Sequence, residues 1–184
     1  METIDFKSAF KYPFNRAKGL LNILWLLLPI IGWFILFGYG ITIVKHFLKS
    51  DFSKLPVMDI KANLSLGFFM FLKSIPFVIV LFIIQAFAIF IPLIGTLVSW
   101  FISLFIVPIL TINFFKKETV SSYFEFEKLK HVFNNFGDYI IVLLKTIALT
   151  IIFFLLIIIL VGIPAGSFTK NIFFADFYRR NVKE

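Results

Sequence analysis

The longest apolar run in the chain, Ser74 to Phe115, carries 42 residues without a charge. A hydrocarbon core of ~30 Å takes about 20 helical residues, so this run supplies two passes and a tight turn at Phe90-Ile91-Pro92-Leu93-Ile94-Gly95. Two shorter uncharged blocks flank it, Gly19 to Val44 with 26 residues and Thr146 to Thr169 with 24. Each holds a break of the same kind, Leu28-Pro29-Ile30-Ile31-Gly32 in the first and Ile163-Pro164-Ala165-Gly166 in the third. Proline removes a helix donor and glycine permits a tight backbone, so each break predicts a turn. The alternative for the two outer blocks is a kinked single span, which their lengths alone favour.

Charge placement decides for turns. Basic residues cluster between the blocks: Lys7 to Lys18, Lys45 to Lys73, Lys116 to Lys145, and Lys170 to Lys183. With four single spans, 8 of the 18 basic residues fall outside and 10 inside. With three hairpins all 18 share one side, as the cytoplasmic bias of basic loops demands. The predicted fold class is therefore an all-α integral membrane helical bundle of three helical hairpins, about six helices, with four full spans as the alternative. The returning halves, Gly32 to Leu48 and Ala165 to Arg179, are short and require tilt or local thinning. Both termini are then cytoplasmic in a multi-pass protein of the cell membrane.

The flanks predict interfacial amphipathic helices. Phe6, Phe10 and Phe14 share a helical face, with Pro13 ending that helix and Asn15 placed to cap the next. Between the second and third blocks, Ser122 and Glu125 have capping-box spacing, and Phe126, Leu129, Val132, Phe133 and Phe136 form one apolar stripe. Asp138 is placed to cap the last long helix. Residues 1–184 thus read as one membrane domain: an N-terminal interfacial segment at 1–18, the first hairpin or span at 19–48, the central hairpin at 62–117, an amphipathic helix at 119–136, and the last hairpin or span at 138–181. No cleavable signal is predicted, because Glu2 and Asp5 occupy the region that would be basic.

Several short motifs follow one another in a fixed order: Tyr12-Pro13-Phe14, Pro29 in an apolar run, Gly38-Tyr39 before a basic helix end, Leu55-Pro56 and Asp59 ahead of Gly67, then Phe177-Tyr178-Arg179. In that order the chain resembles, over roughly its whole length, the uncharacterised membrane proteins called domain of unknown function 4013. The resemblance implies a helical membrane domain and supplies no activity. Val57 and Met58, where the family pattern has an acidic residue, and the polar stretch Ser167 to Asn171 depart from it.

Composition agrees: 60% of residues are hydrophobic, 28 are Phe, and mean hydropathy is +1.00. The net charge of +8 lies in membrane flanks and forms no separate stripe, which argues against a nucleic-acid partner. The chain contains no cysteine, which excludes thiol redox chemistry. His46 and His131 lack ligand spacing, Glu125 and Glu127 point to different faces, and no phosphate-cradling or hydrolase motif is present, so no catalytic residue, metal ligand or cofactor is assigned. No acidic residue lies within the apolar blocks, which weakens a proton-driven pump.

Three polar residues within the apolar blocks or at their edges are candidate lipid or partner contacts. Lys170 beside the last turn either snorkels outward or meets an anionic group. Gln85 is the only carboxamide inside the central block and suits an interhelical hydrogen bond. Tyr39, between Gly38 and Gly40, suits a close helix crossing with an interfacial ring. Thr96, Ser99 and Ser103 share a face that permits close packing. The expected role is a non-enzymatic membrane protein acting through membrane lipids or a membrane-protein or peptide partner, including immunity or self-protection against a membrane-active toxin. The alternative is a small transporter or lipid-handling channel.

Overall fold

Each apolar block folds back on itself, and glycine backbone makes each return possible. The computed structural model describes residues 3–88 and 90–182, and among these it holds helices and no strand. Glu2 and Lys183, counted above among the charged flanks, lie outside the described residues.

After a short helix α1 (Phe6–Lys11), the first block rises as a 3-10 helix, Phe14–Leu27, broken by non-helical backbone at Arg16. It returns as α2, Ile31–Leu48. A 3-10 helix rises about 2.0 Å per residue, so this limb reaches further than an α-helix of equal length. The turn forces Ile30 to a φ of 66°, a costly conformation for a β-branched residue. It is held because the Gly32 N–H donates to the Leu28 carbonyl at 3.0 Å, while Gly32 lies flat against the Trp25 carbonyl where any Cβ would overlap.

The central hairpin repeats the device. Its limbs are α3 (Ile60–Ala88), then α4 (Pro92–Phe101), one π turn at Ile102–Ile106, and α5 (Val107–Lys117). The Gly95 N–H donates to the Ile91 carbonyl at 2.6 Å, and Gly95 faces the Ala88 carbonyl, the same offset as Gly32 to Trp25. The third block rises as α7 (Phe136–Leu155), tightens into a 3-10 turn at Leu156–Ile159, and returns as α8 (Gly162–Thr169) and α9 (Ile172–Asn181). Here the chain turns earlier than Pro164-Ala165-Gly166 predicts. Leu160 takes the positive φ, 59°, and Gly162 sits against the Phe153 carbonyl. Pro164 falls in the first turn of α8, where its missing N–H has no helical partner to lose.

Because the three blocks double back, their charged flanks meet at one end. Asn15 donates to the Ser53 carbonyl at 2.7 Å, and Arg16 donates to the Leu55 and Pro56 carbonyls. Lys45 pairs with Glu118, whose backbone carbonyl accepts from Lys73 at 2.9 Å. Arg180 bridges Asp176 and Asp138 at 3.0 and 2.9 Å, and the Ile4 N–H approaches Asp176. Three-hairpin topology is therefore visible in direct contacts between segments far apart in sequence.

The hairpins are joined by the crossing of α2 and α3. A Cβ on Gly38 would overlap the Asn63 carbonyl, and one on Gly67 would overlap the Phe34 carbonyl. Backbone therefore touches backbone, as small residues allow between membrane helices. Thr42 locks the crossing by donating to the Asn63 side-chain carbonyl at 2.9 Å. Four helices, Ile31–Leu48, Ile60–Ala88, Leu93–Lys117 and Phe136–Ile159, are long and apolar enough to cross a membrane. Only 17% of the apolar window of α3 and 22% of the window in Leu93–Lys117 are buried in the bundle, so the central hairpin turns most of its surface outward.

Two predicted elements differ. The helix expected over 119–136 is two 3-10 turns, Val120–Phe124 and Phe126–Leu129, followed by α6, Lys130–Asn134. Tyr123 stacks between Phe77 and Phe114, at 4.2 and 4.0 Å, and this insertion breaks the helical period. Ser122 is buried within the first turn, where its hydroxyl donates to the Thr119 carbonyl, and Glu125 pairs with Lys117. At the N-terminus, Phe6 and Phe10 stack on Phe173 and Phe153, so α1 faces the third hairpin. Neither predicted cap acts as one: Asn15 lies inside the 3-10 limb, and Asp138, in the first turn of α7, binds Arg180 and Asn181.

Gly67→Ala should lower stability in detergent by about 2 kcal/mol or more, because the backbones must separate. Gly40, on the far side of α2 from Gly38 and with nothing within 4 Å of a built Cβ, is the control: Gly40→Ala should stabilise by roughly 0.5 kcal/mol. Thermal unfolding of the two variants side by side checks both.

Candidate functional site

The returning limb α8 presents a mixed surface. Gly162, Pro164, Ala165, Phe168 and Thr169 are buried, while Ile163, Ser167 and Lys170 are exposed. Those three fall at helical spacing and form one outward ridge. A cleft runs along each side of it. The cleft between α7 and α8, about 310 Å³, is walled by Leu149, Phe153, Phe154, Ile157 and Phe173. The other, about 280 Å³, lies between α8, α2 and the 3-10 limb, walled by Ile23, Leu26, Leu36, Phe37 and Phe115. Ile163, Ser167 and Lys170 border both.

Hydrogen-bond accounting separates the polar groups at these walls. Thr146, Thr150 and Thr169 donate their hydroxyl protons to the carbonyls of Val142, Thr146 and Ala165 at 2.8, 2.8 and 2.6 Å, so they offer only acceptor lone pairs. Lys170 has no carboxylate partner among the described residues, whereas Lys45 and Lys117 are paired. The ridge therefore carries a cation and a hydroxyl between two apolar walls.

Gln85 and Tyr39 stand elsewhere. Gln85 bridges the two limbs of the central hairpin, accepting from the Ser99 hydroxyl at 2.5 Å, far along the hairpin from the charged end. Tyr39 lies in the interior, 0% exposed, with its ring edge-on to Phe168 and its hydroxyl donating to the Pro56 carbonyl at 2.9 Å. It backs the α8 ridge from inside and presents no surface to lipid. The structure thus brings Tyr39 and Lys170 to the same helix by opposite faces, and leaves Gln85 apart.

The polar interior at the charged end was not apparent in the sequence. Asp176, 2% exposed, accepts from Arg179 and Arg180 at 2.6 and 3.0 Å, and Tyr178 donates to Asn113, whose amide donates to the Ser122 carbonyl at 2.7 Å. The one available signal is an aspartate set between aromatics, Phe174-Ala175-Asp176-Phe177. Buried charges need such complete pairing. At the surface of the same end, hydrogen bonds from His46 and then from Ser53 hold the Asp51 carboxyl down to about 2.

These features define a class: a multi-pass helical membrane protein whose charged segments close one end of the bundle. Residues 21–162 match the family described as Protein of unknown function (DUF4013), and the chain belongs to that family. Tyr12-Pro13-Phe14, Phe177-Tyr178-Arg179 and the Ser167-Lys170 ridge lie outside the matched residues. No curated protein and no solved structure matches the chain.

The Gln85–Ser99 bond has a measurable size. Interhelical hydrogen bonds of this kind contribute about 0.6 kcal/mol, so Ser99→Ala and Gln85→Leu should show a coupling of that order in a double-mutant cycle. No coupling would mean that the two limbs are held by packing alone.

Proposed function

We propose that this chain is a non-enzymatic membrane protein that acts by interaction, with lipid or with a membrane partner, at the ridge of α8. One observation carries the reading: Lys170, with no carboxylate partner among the described residues, stands between two apolar clefts. A lysine beside apolar walls is costly unless its ammonium reaches water or an anionic group. We further propose that the charged end is cytoplasmic and carries both termini, since basic segments are retained on that side.

A transporter needs a path between the hairpins. The space where they meet is filled by Tyr39, Phe114, Tyr139, Phe177 and Tyr178, all at most 1% exposed, which favours binding over passage.

A photo-reactive residue at position 167 should give a lipid adduct, or one discrete membrane-protein adduct, in native membranes. Position 144 on the outer face of α7, where Leu144 is 61% exposed, reports ordinary lipid contact. Adducts at 167 should exceed those at 144 several-fold. Equal labelling at the two positions contradicts the proposal.

A further inference from the structure

The two clefts differ in surroundings but share one border, and that border has a direction. Ile163 lies next to the turn at Leu160, and Lys170 lies seven residues on toward the charged end, roughly 10 Å at the helical rise. The ridge is therefore polar at the end nearest the charged segments and apolar at the end nearest the turn. A phospholipid in the leaflet next to the charged end has this polarity, with its phosphate at the interface and its chains running inward.

Charge chemistry narrows the occupant. Among the described residues, the linings of both clefts contain no carboxylate. A second cation is close by: the Lys145 ammonium lies 5.8 Å from the ring centre of Phe173, which walls the first cleft. The available donors suit acceptor oxygens, and nothing in the walls offers a counter-charge to a choline or ethanolamine ammonium. Two clefts on either side of the Lys170 ammonium match two chains attached to a single phosphate.

We infer that α8 holds one anionic phospholipid, with its phosphate on the Lys170 ammonium and the Ser167 hydroxyl and one acyl chain in each cleft. This rests on the interaction reading above and deepens it by naming the ligand class. The ridge residues Ile163, Ser167 and Lys170 lie beyond the residues matched by the family, whereas most of the cleft walls lie within them.

The test uses the full chain, purified and delipidated in detergent, titrated with dioleoylphosphatidylglycerol, dioleoylphosphatidylcholine and inorganic phosphate, with bound lipid counted by native mass spectrometry. The expected result is one tight phosphatidylglycerol site per chain, with phosphatidylcholine at least about tenfold weaker, because both lipids offer the phosphate but only phosphatidylcholine brings a quaternary ammonium beside Lys170 and Lys145, where the cleft walls hold no carboxylate to meet it. Lys170→Met should erase the preference between the two lipids, and Lys170→Arg should keep it. Ser167→Trp, which fills the shared border, should weaken both lipids alike. Equal phosphatidylglycerol binding by Lys170→Met and the native chain overturns the assignment. So does displacement of the lipid by inorganic phosphate, which would make this a site for a soluble anion. Enriched labelling at position 167 without a phosphatidylglycerol preference leaves the interaction reading standing and removes only the ligand; equal labelling at 167 and 144 removes the reading itself.

Discussion

Backbone contact at glycine is the interaction on which the bundle depends. Gly32, Gly95 and Gly162 let three helical limbs press against the carbonyls of Trp25, Ala88 and Phe153, and Gly38 and Gly67 let the first hairpin press against the second. A methyl group at any of these positions would occupy the space of a carbonyl oxygen. Lipid offers no hydrophobic drive between helices, so close approach must supply the attraction that water supplies in soluble proteins. The turns have a second consequence. By reversing each apolar block, they spare every charged segment the passage through hydrocarbon and deliver it to the same end.

Once gathered there, the charges become a structural element. Glu118 collects Lys45 and Lys73, Asp138 and Asp176 collect Arg180, and backbone carbonyls of Leu55 and Pro56 collect Arg16. These bonds tie the N-terminal segment, both connecting segments and the last helix into one cap. Lys170, just past the end of α8, has no carboxylate partner among the described residues and takes no part in these bonds. The clefts beside it lie where α8 packs against the longer α7 on one side and against α2 and the 3-10 limb on the other.

Much of this was legible in the order of residues. The uncharged length from Ser74 to Phe115 predicted a hairpin, the grouping of basic residues favoured turns in the outer blocks over the single spans that their lengths suggested, and Gly38 announced a close crossing. What the sequence could not show was the partner: Gly67 is one small residue in an apolar run, and only the structure sets it against Phe34. Tyr39 looked interfacial because tyrosine often is, yet the carbonyl of Pro56 satisfies its hydroxyl inside the bundle. The segment around Tyr123 failed as a helix because a stacked ring sandwich outweighed its apolar period. Likewise, α9 reads as a polar helix end, but Asp176 is buried with two partners one turn along its own helix, Arg179 and Arg180, and one, the Ile4 N–H, that reaches it only after folding.

Sidedness tests the account most directly. The chain has no native cysteine, so single cysteines at Thr3, Ser121, Val182 and Leu93 can be labelled one at a time with an impermeant thiol reagent in intact cells. The three-hairpin fold predicts that positions 3, 121 and 182 are protected together and that position 93 is labelled. Labelling of 3, 93 and 182 with protection of 121 alone would contradict it, since that pattern belongs to four single spans.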